Sequence, residues 1–191
     1  MATLLSTLVA AALVNNLFYV QLLGVSPLLV GSRRLENISE LAVFGGLLLF
    51  LTSCLNLLIY RWILKPLGLE GITLIGFMAC SVLLAIGMIQ WLEQKLPLTA
   101  RRQRLAIGLF GSSSAVIGSS LTASSSQLSD LLIIVSCAGT ALGFALALLA
   151  FAALRQRIEV SDTPEAFRGA PLDLISAGLA SMCFLAMSGP G

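Results

Sequence analysis

Charges fall in bunches along this chain and leave six long apolar stretches between them. These run over residues 1–32, 41–60, 71–92, 105–129, 131–154 and 174–191. Each is near or above the ~18 consecutive apolar residues that read as a membrane-crossing helix. The pattern therefore predicts an all-α integral membrane protein of six transmembrane helices. The connections between them are short, so no water-soluble domain hangs from the membrane and a soluble catalytic site has nowhere to be built. The longest connection, 155–169, mixes both charge signs around Pro164 and suits packing against a neighbour or the headgroups. No Lys or Arg precedes the first apolar run, so it reads as a retained helix and not as a cleaved signal peptide.

Lys and Arg fix the expected orientation. The connections after spans one, three and five hold Arg33, Arg34, Lys95, Arg101, Arg102, Arg104, Arg155, Arg157 and Arg168, whereas the opposite side holds only Arg61 and Lys65. Positive charge is retained on the cytoplasmic side. Nine against two places both termini outside the cytoplasm.

Composition agrees with a lipid solvent. Of 191 residues, 58% are hydrophobic and 10% charged, where a soluble domain carries about a quarter charged residues. A net charge of +2 without a basic tail gives no reason to expect nucleic acid. The chain has no His, which removes imidazole chemistry from its own repertoire. Cys54, Cys80, Cys137 and Cys183 stand singly inside apolar runs, so neither a disulfide framework nor a metal knuckle is suggested. They read as small apolar core residues. All nine acids lie in connections or near span ends. Proton and sodium relays usually need a buried carboxylate at mid-depth, so the chain does not look like a self-sufficient pump.

Spans one and four depart from plain apolar helices. Span one carries Asn15, Asn16 and Gln21, then Gly24, Ser26, Pro27 and Gly31; span four carries Gly108, Gly111 and Gly118 around the run Ser112-Ser113-Ser114. Pro and Gly interrupt a helix, and the freed backbone groups must be satisfied inside protein. Interruptions at matching places in two halves point to an inverted 3+3 repeat with a midplane site between broken first and fourth helices. The halves are residues 1–95 and 104–191 of one membrane domain, 1–191. Small residues also let helices approach closely, which is the simpler reading of Ser119 to Ser126. Asn15 and Asn16 face different directions, and one of them is expected to hydrogen-bond a broken helix end.

Several stretches resemble a known family. Leu13-Val14-Asn15-Asn16 followed by QLLGVSP (Gln21 to Pro27) is similar to the opening of the A-type membrane subunits of bacterial Rnf electron-transport complexes. RWILKPLGLE (Arg61 to Glu70) resembles their second connection. LLAFAALRQR, ending at Arg157, and SDTPEAFRG (Ser161 to Gly169) resemble the fifth span and the loop after it. LISAGLASMCFLAMSG (Leu174 to Gly189) is similar to the closing helix. The resemblance covers nearly the whole chain. A related subunit of the sodium-pumping NADH:quinone oxidoreductase is next in similarity, and the spacing of Pro164, Phe167, Arg168 and Gly169 favours the Rnf branch.

The resemblance implies a six-helix inverted repeat that pairs with a homologous, oppositely oriented E-type subunit. Other flavin- and iron–sulfur-containing subunits would complete the complex. It also implies a [2Fe–2S] cluster at mid-membrane, shared with that partner and held by one cysteine from each broken helix. The cluster would carry electrons across the bilayer, coupled to Na⁺ or H⁺ movement. Here both implied ligand positions are serine: Ser26 and Ser114. Asn15, Asn16, Gly24, Pro27, Gly111 and Gly118 would surround the site. Clusters are held by soft thiolates, and a serine alcohol is a harder, far less acidic donor. A cluster at Ser26 and Ser114 is therefore expected to be altered or absent, and the subunit itself non-catalytic. Cys54 and Cys137, on the second helix of each half, are the place where a relocated site could be built. A reading of another class is a small-molecule or ion transporter on the same repeat, which would purify alone or as a homodimer.

Overall fold

The computed structural model describes residues 2–14, 16, 35–68, 70–95, 113–126, 129–159, 164, 167 and 169–188. Six helices carry these residues. Helix α1 (Ala2–Val9) widens into a π-turn over Ala10–Val14. Helix α2 (Leu35–Ile59) does the same over Tyr60–Leu64. A short 3-10 turn, Glu70–Ile72, leads into α3 (Thr73–Lys95). Then come α4 (Ser114–Ser125), α5 (Asp130–Glu159) and α6 (Ala170–Ser188). Among the described residues there is no strand. Helices satisfy their backbone groups internally, which lipid demands. Three segments, Ser39–Leu64, Thr73–Lys95 and Asp130–Ile158, are long and apolar enough to cross a membrane.

Some boundaries differ from those expected. Helix α5 runs to Glu159, so Arg155 and Arg157 belong to its last turns and not to a connection. Gly118 does not interrupt span four; it lies inside α4, whose ladder continues to Ser125. A lone glycine is tolerated there because it leaves the backbone hydrogen bonds in place. After α2 the chain turns through Lys65 to Gly68, where Gly68 takes a left-handed conformation (φ 64°) that a side chain would strain.

Surface and interior are exchanged relative to a soluble bundle. Leu47, Leu51, Leu55 and Leu58 of α2 are exposed, whereas Thr52, Ser53 and Asn56 between them are fully buried. Because lipid is as apolar as leucine, helices here associate through close packing and hydrogen bonds, not through hiding leucine. One apolar core gathers Leu41, Leu48 and Leu49 of α2, Leu92 of α3, Val116 of α4, and Phe144 and Phe151 of α5. A groove of about 690 Å³ opens between α2 and α3, lined by Leu51, Leu55, Ala79, Leu83 and Gly87 among others.

Contacts between helices fix their relative directions. Gly46 lies against Ala141 and Ala145, Cys54 meets Cys137, and Arg61 pairs with Asp130. Numbers rise along α2 as they fall along α5, so the two helices are antiparallel neighbours over most of their length. The Arg61–Asp130 pair suits both helix ends, a cation at the C-terminal end of α2 and an anion at the N-terminus of α5. Helix α1 packs parallel to α5: Leu8 and Ala11 meet Gly139, and Ala12 meets Gly143. Helix α4 packs parallel to α2, with Ser53 opposite Ser119 and Asn56 opposite Ser120.

The α1–α5 crossing is the tightest. A methyl group built at Gly143 would stand 2.3 Å from the Ala12 carbonyl oxygen, and one at Gly139 would stand 2.6 Å from that of Leu8. Four-residue spacing puts both glycines on one face of α5, which admits the neighbouring backbone. At the other end of α5, Arg155 and Asp173 form an ion pair of 2.9 Å with only 9% of either side chain exposed. It ties the last turns of α5 to the first turn of α6. Asp173 is thus a buried acid, but it lies at a helix end and is neutralised by its partner.

Two outcomes follow from these contacts. Gly143→Ala should destabilise the folded chain by about 1–3 kcal/mol, the usual cost of overpacking. Gly76→Ala should be near neutral, since nothing lies within 4 Å of the added methyl. Thermal melting in detergent checks both, and equal effects would contradict the crossing. Asp173→Ala, which strands the Arg155 charge, should cost about 3–5 kcal/mol, and Arg155→Met with Asp173→Leu should recover much of that loss. The same assay reads it, and a double variant as unstable as the single one would count against the pair.

Candidate functional site: the start of helix α4 and its buried polar seam

Of the positions singled out in the sequence, Asn15, Gly24, Ser26, Pro27 and Gly111 lie outside the described residues. Asn16, Ser114 and Gly118 are described, and they do not form one cluster. Ser114 and Gly118 share a face of α4 by their four-residue spacing, Ser114 exposed and Gly118 half-buried. Asn16 is buried at the end of α1, on the α5 side of the molecule.

Asn16 performs the helix-end task expected of one of the two asparagines. Its Nδ2 donates to the Ala12 carbonyl, 2.9 Å away within its own helix, and to the Gly143 carbonyl, also at 2.9 Å. Carbonyls at a helix end lack intrahelical donors, and in lipid they must find others. Both amide hydrogens are used, so one side chain closes α1 and fastens it to α5. Gly143 permits this because it has no side chain between the two backbones.

Helix α4 begins abruptly. Ser113 has an extended backbone (φ −78°, ψ 154°), and the helix starts at Ser114. Twelve residues at 1.5 Å each span about 18 Å, short of the ~30 Å hydrocarbon core. The residues ahead of Ser113, where the sequence predicts the break in span four, lie outside the described residues. The Ser113 hydroxyl is buried but makes no capping bond, and it has no partner among the described residues.

Below this start, α4 meets α2 along a seam of neutral polar side chains. The Ser53 and Ser119 hydroxyls lie 2.8 Å apart, and Asn56 Nδ2 donates to Ser120 Oγ at 2.8 Å. Ser119 and Ser120 also donate back to the Val116 carbonyl. Asn56 Oδ1 remains buried without a partner among the described residues. Ser119 and Ser120 therefore fasten α4 to α2, while Ser124 and Ser125 only return bonds to their own helix. Ser53 and Asn56 escaped sequence reasoning. The only sign of them was a polar residue at each three- to four-residue step inside an apolar span.

An iron–sulfur cluster needs thiolates, and the donors at this site do not fit one. Ser114 offers an alcohol, and the nearest described neighbours add only hydroxyls and an amide. None of the four cysteines lies on α4: Cys54 is on α2, Cys80 on α3, Cys137 on α5 and Cys183 on α6. Among the described residues, no three Cys, Asp or Glu side chains group as metal ligands. The relocated pair is nonetheless real as a contact. Cys137 packs with Leu57, Ala123 and Ile133 at the α2–α5 interface, and Cys54 lies against the same cluster.

Comparison with known proteins places this architecture. Residues 4–190 match the family described as "Rnf-Nqr subunit, membrane protein". The A-type subunit of the ion-translocating oxidoreductase complex of Azotobacter vinelandii is 36% identical over 194 residues, covering 99% of this chain and 98% of that one. The protein of the same name from Pseudomonas paraeruginosa is 34% identical over 190 residues, with the same coverage. That from Alcanivorax borkumensis is 34% identical over 183 residues, covering 95% of this chain and 94% of its own. With multiple apolar helices, neutral polar groups turned inward and this likeness over its whole length, the chain is a multi-pass membrane protein of the Rnf-Nqr family.

Proposed function

We propose that this chain is a membrane subunit, of the A type, in an ion-translocating oxidoreductase complex. One observation carries the reading: the likeness to proteins of that name spans 98% of their length without a missing segment. The chain frames the path by which electrons cross the membrane, in a complex that couples their passage to Na⁺ or H⁺ movement. It sits in the bacterial inner membrane with both termini outside, beside a homologous subunit of opposite orientation and the flavin- and iron–sulfur-containing subunits.

Its six spans form an inverted repeat of residues 1–95 and 104–191. The helix directions support this arrangement. An inverted 3+3 repeat exchanges α1 with α4 and α2 with α5, and therefore exchanges the α1–α5 contact with the α4–α2 contact. Both contacts are parallel, and the α2–α5 pair between them is antiparallel, as a two-fold axis in the membrane plane requires. The nine cytoplasmic-side cations against two support the orientation.

Ser26 and Ser114 occupy the two positions of the family's cluster ligands. Because their alcohols do not fit iron, the subunit keeps the frame and not the ligation. Purification through a tag on this chain should bring down several different subunits; isolation of the chain alone or as a homodimer would overturn the assignment in favour of a transporter. In the intact complex, Ser26→Cys with Ser114→Cys should raise iron by about two atoms per complex, the content of one [2Fe–2S] cluster. A new low-temperature EPR signal should accompany it. Unchanged iron in an intact complex would refute the site assignment while leaving membership of the complex standing.

A further inference from the structure

Two thiols that the sequence scatters 83 positions apart meet in the fold, away from the start of α4. Cys54 projects from α2 and Cys137 from α5, and Cys54 packs against the apolar cluster to which Cys137 belongs. Apolar side chains of the cluster are Phe50 and Leu57 of α2, Ala123 of α4 and Ile133 of α5. Both cysteines are unbridged. Cys137 is 4% exposed and faces the helix interface, so it offers no surface on which a second chain could share a metal centre. Cys54 is half-buried and can be approached from outside the helix pair.

We propose that Cys54 and Cys137 are a reversible dithiol–disulfide couple, oxidised by lipid-soluble quinones. Two conditions for a disulfide are thiols already in contact and backbones close enough to accept the bridge. Contacts on either side of the pair, Gly46 against Ala141 and Arg61 against Asp130, set α2 and α5 in the antiparallel register that brings positions 54 and 137 opposite each other. The apolar surroundings select the oxidant, because a quinone partitions into lipid whereas a charged oxidant does not. In the step, two S–H bonds break and one S–S bond forms. The two electrons and two protons pass to the quinone, giving the hydroquinone, so no charge remains in the apolar interface. The reverse step needs a dithiol reductant, which gains the new disulfide as the bridge opens.

The bridge would join the antiparallel pair at the centre of the molecule. It closes a loop that contains all of α3 and α4, so the two halves could no longer slide past each other. Reduced, α2 and α5 are held by non-covalent contacts, among them the Arg61–Asp130 pair. The couple is independent of the proposed role in the complex and of whether any cluster is bound.

The test uses membranes containing the full-length chain with Cys80→Ser and Cys183→Ser. They are exposed to a short-chain ubiquinone analogue or left reduced, then denatured in SDS with N-ethylmaleimide to block free thiols. After reduction, a 5-kDa maleimide polymer counts the thiols that had been bridged. Two adducts per chain are expected after oxidation, none in the reduced sample, and none when Cys54→Ser or Cys137→Ser is added. Peptide mass spectrometry of the oxidised wild-type chain should recover a Cys54–Cys137 linked pair, which guards against misfolding of the variants. No adducts together with no linked peptide, or a bridge formed between chains instead of within one, would overturn the proposal.

Discussion

At Gly143 the backbone of α1 comes so near α5 that an added methyl would stand 2.3 Å from the Ala12 carbonyl oxygen, and Asn16 donates across the same gap. Helices in lipid gain nothing by hiding leucine, so contact of this closeness, with its hydrogen bond, is what can hold one helix on another. Two faces of α5 work in this way, Gly139 and Gly143 receiving α1 and Ala141 and Ala145 receiving Gly46 of α2. Helix α5 is therefore the post on which the described helices are arranged. Its length, thirty residues, carries it past the hydrocarbon core on both sides. At one end Asp130 pairs with Arg61, and at the other Arg155 pairs with the buried Asp173.

From that post the rest acquires direction. Once α1 lies parallel to α5 and α2 antiparallel to it, α4 completes the set by packing parallel to α2. It does so with hydroxyls and an amide and not with glycine. Ser53, Asn56, Ser119 and Ser120 supply donors and acceptors that would be costly if left unpaired in a dry interior. The result is a molecule with leucine outside, small and neutral polar groups inside, and its one fully described buried ion pair at a helix end. Such an interior can frame a path for electrons, but its described residues give a migrating cation no carboxylate at mid-depth.

The start of α4 shows how fold and cofactor chemistry separate. The helix begins at Ser114 after the extended Ser113. What differs is the donor atom, oxygen where a cluster needs sulfur. Two of the chain's sulfurs lie elsewhere, at the α2–α5 interface, where Cys54 packs against the cluster that holds Cys137.

Hydropathy by itself determined that this chain lives in lipid, where the second, third, fifth and sixth helices lie to within about six residues, and which ends carry the cations. These follow from transfer free energies summed over about twenty residues, which no tertiary contact can reverse. Order and spacing of short motifs added the family. Other features were beyond reach of a one-dimensional reading. In α2, Thr52, Ser53 and Asn56 are buried beside Leu48, Leu49 and Leu57 while Leu47, Leu51, Leu55 and Leu58 are exposed, so an apolar stripe alone does not mark the core. Gly118 looked like a break and is an ordinary helical residue, because a glycine interrupts a ladder only where the backbone is also pulled away. That Asn16 reaches Gly143, that Asp173 is buried against Arg155, and that Cys54 meets Cys137 were decided by the tertiary structure alone. Each depends on which helices are neighbours and in what register, and close backbone approach at glycine and alanine sets both.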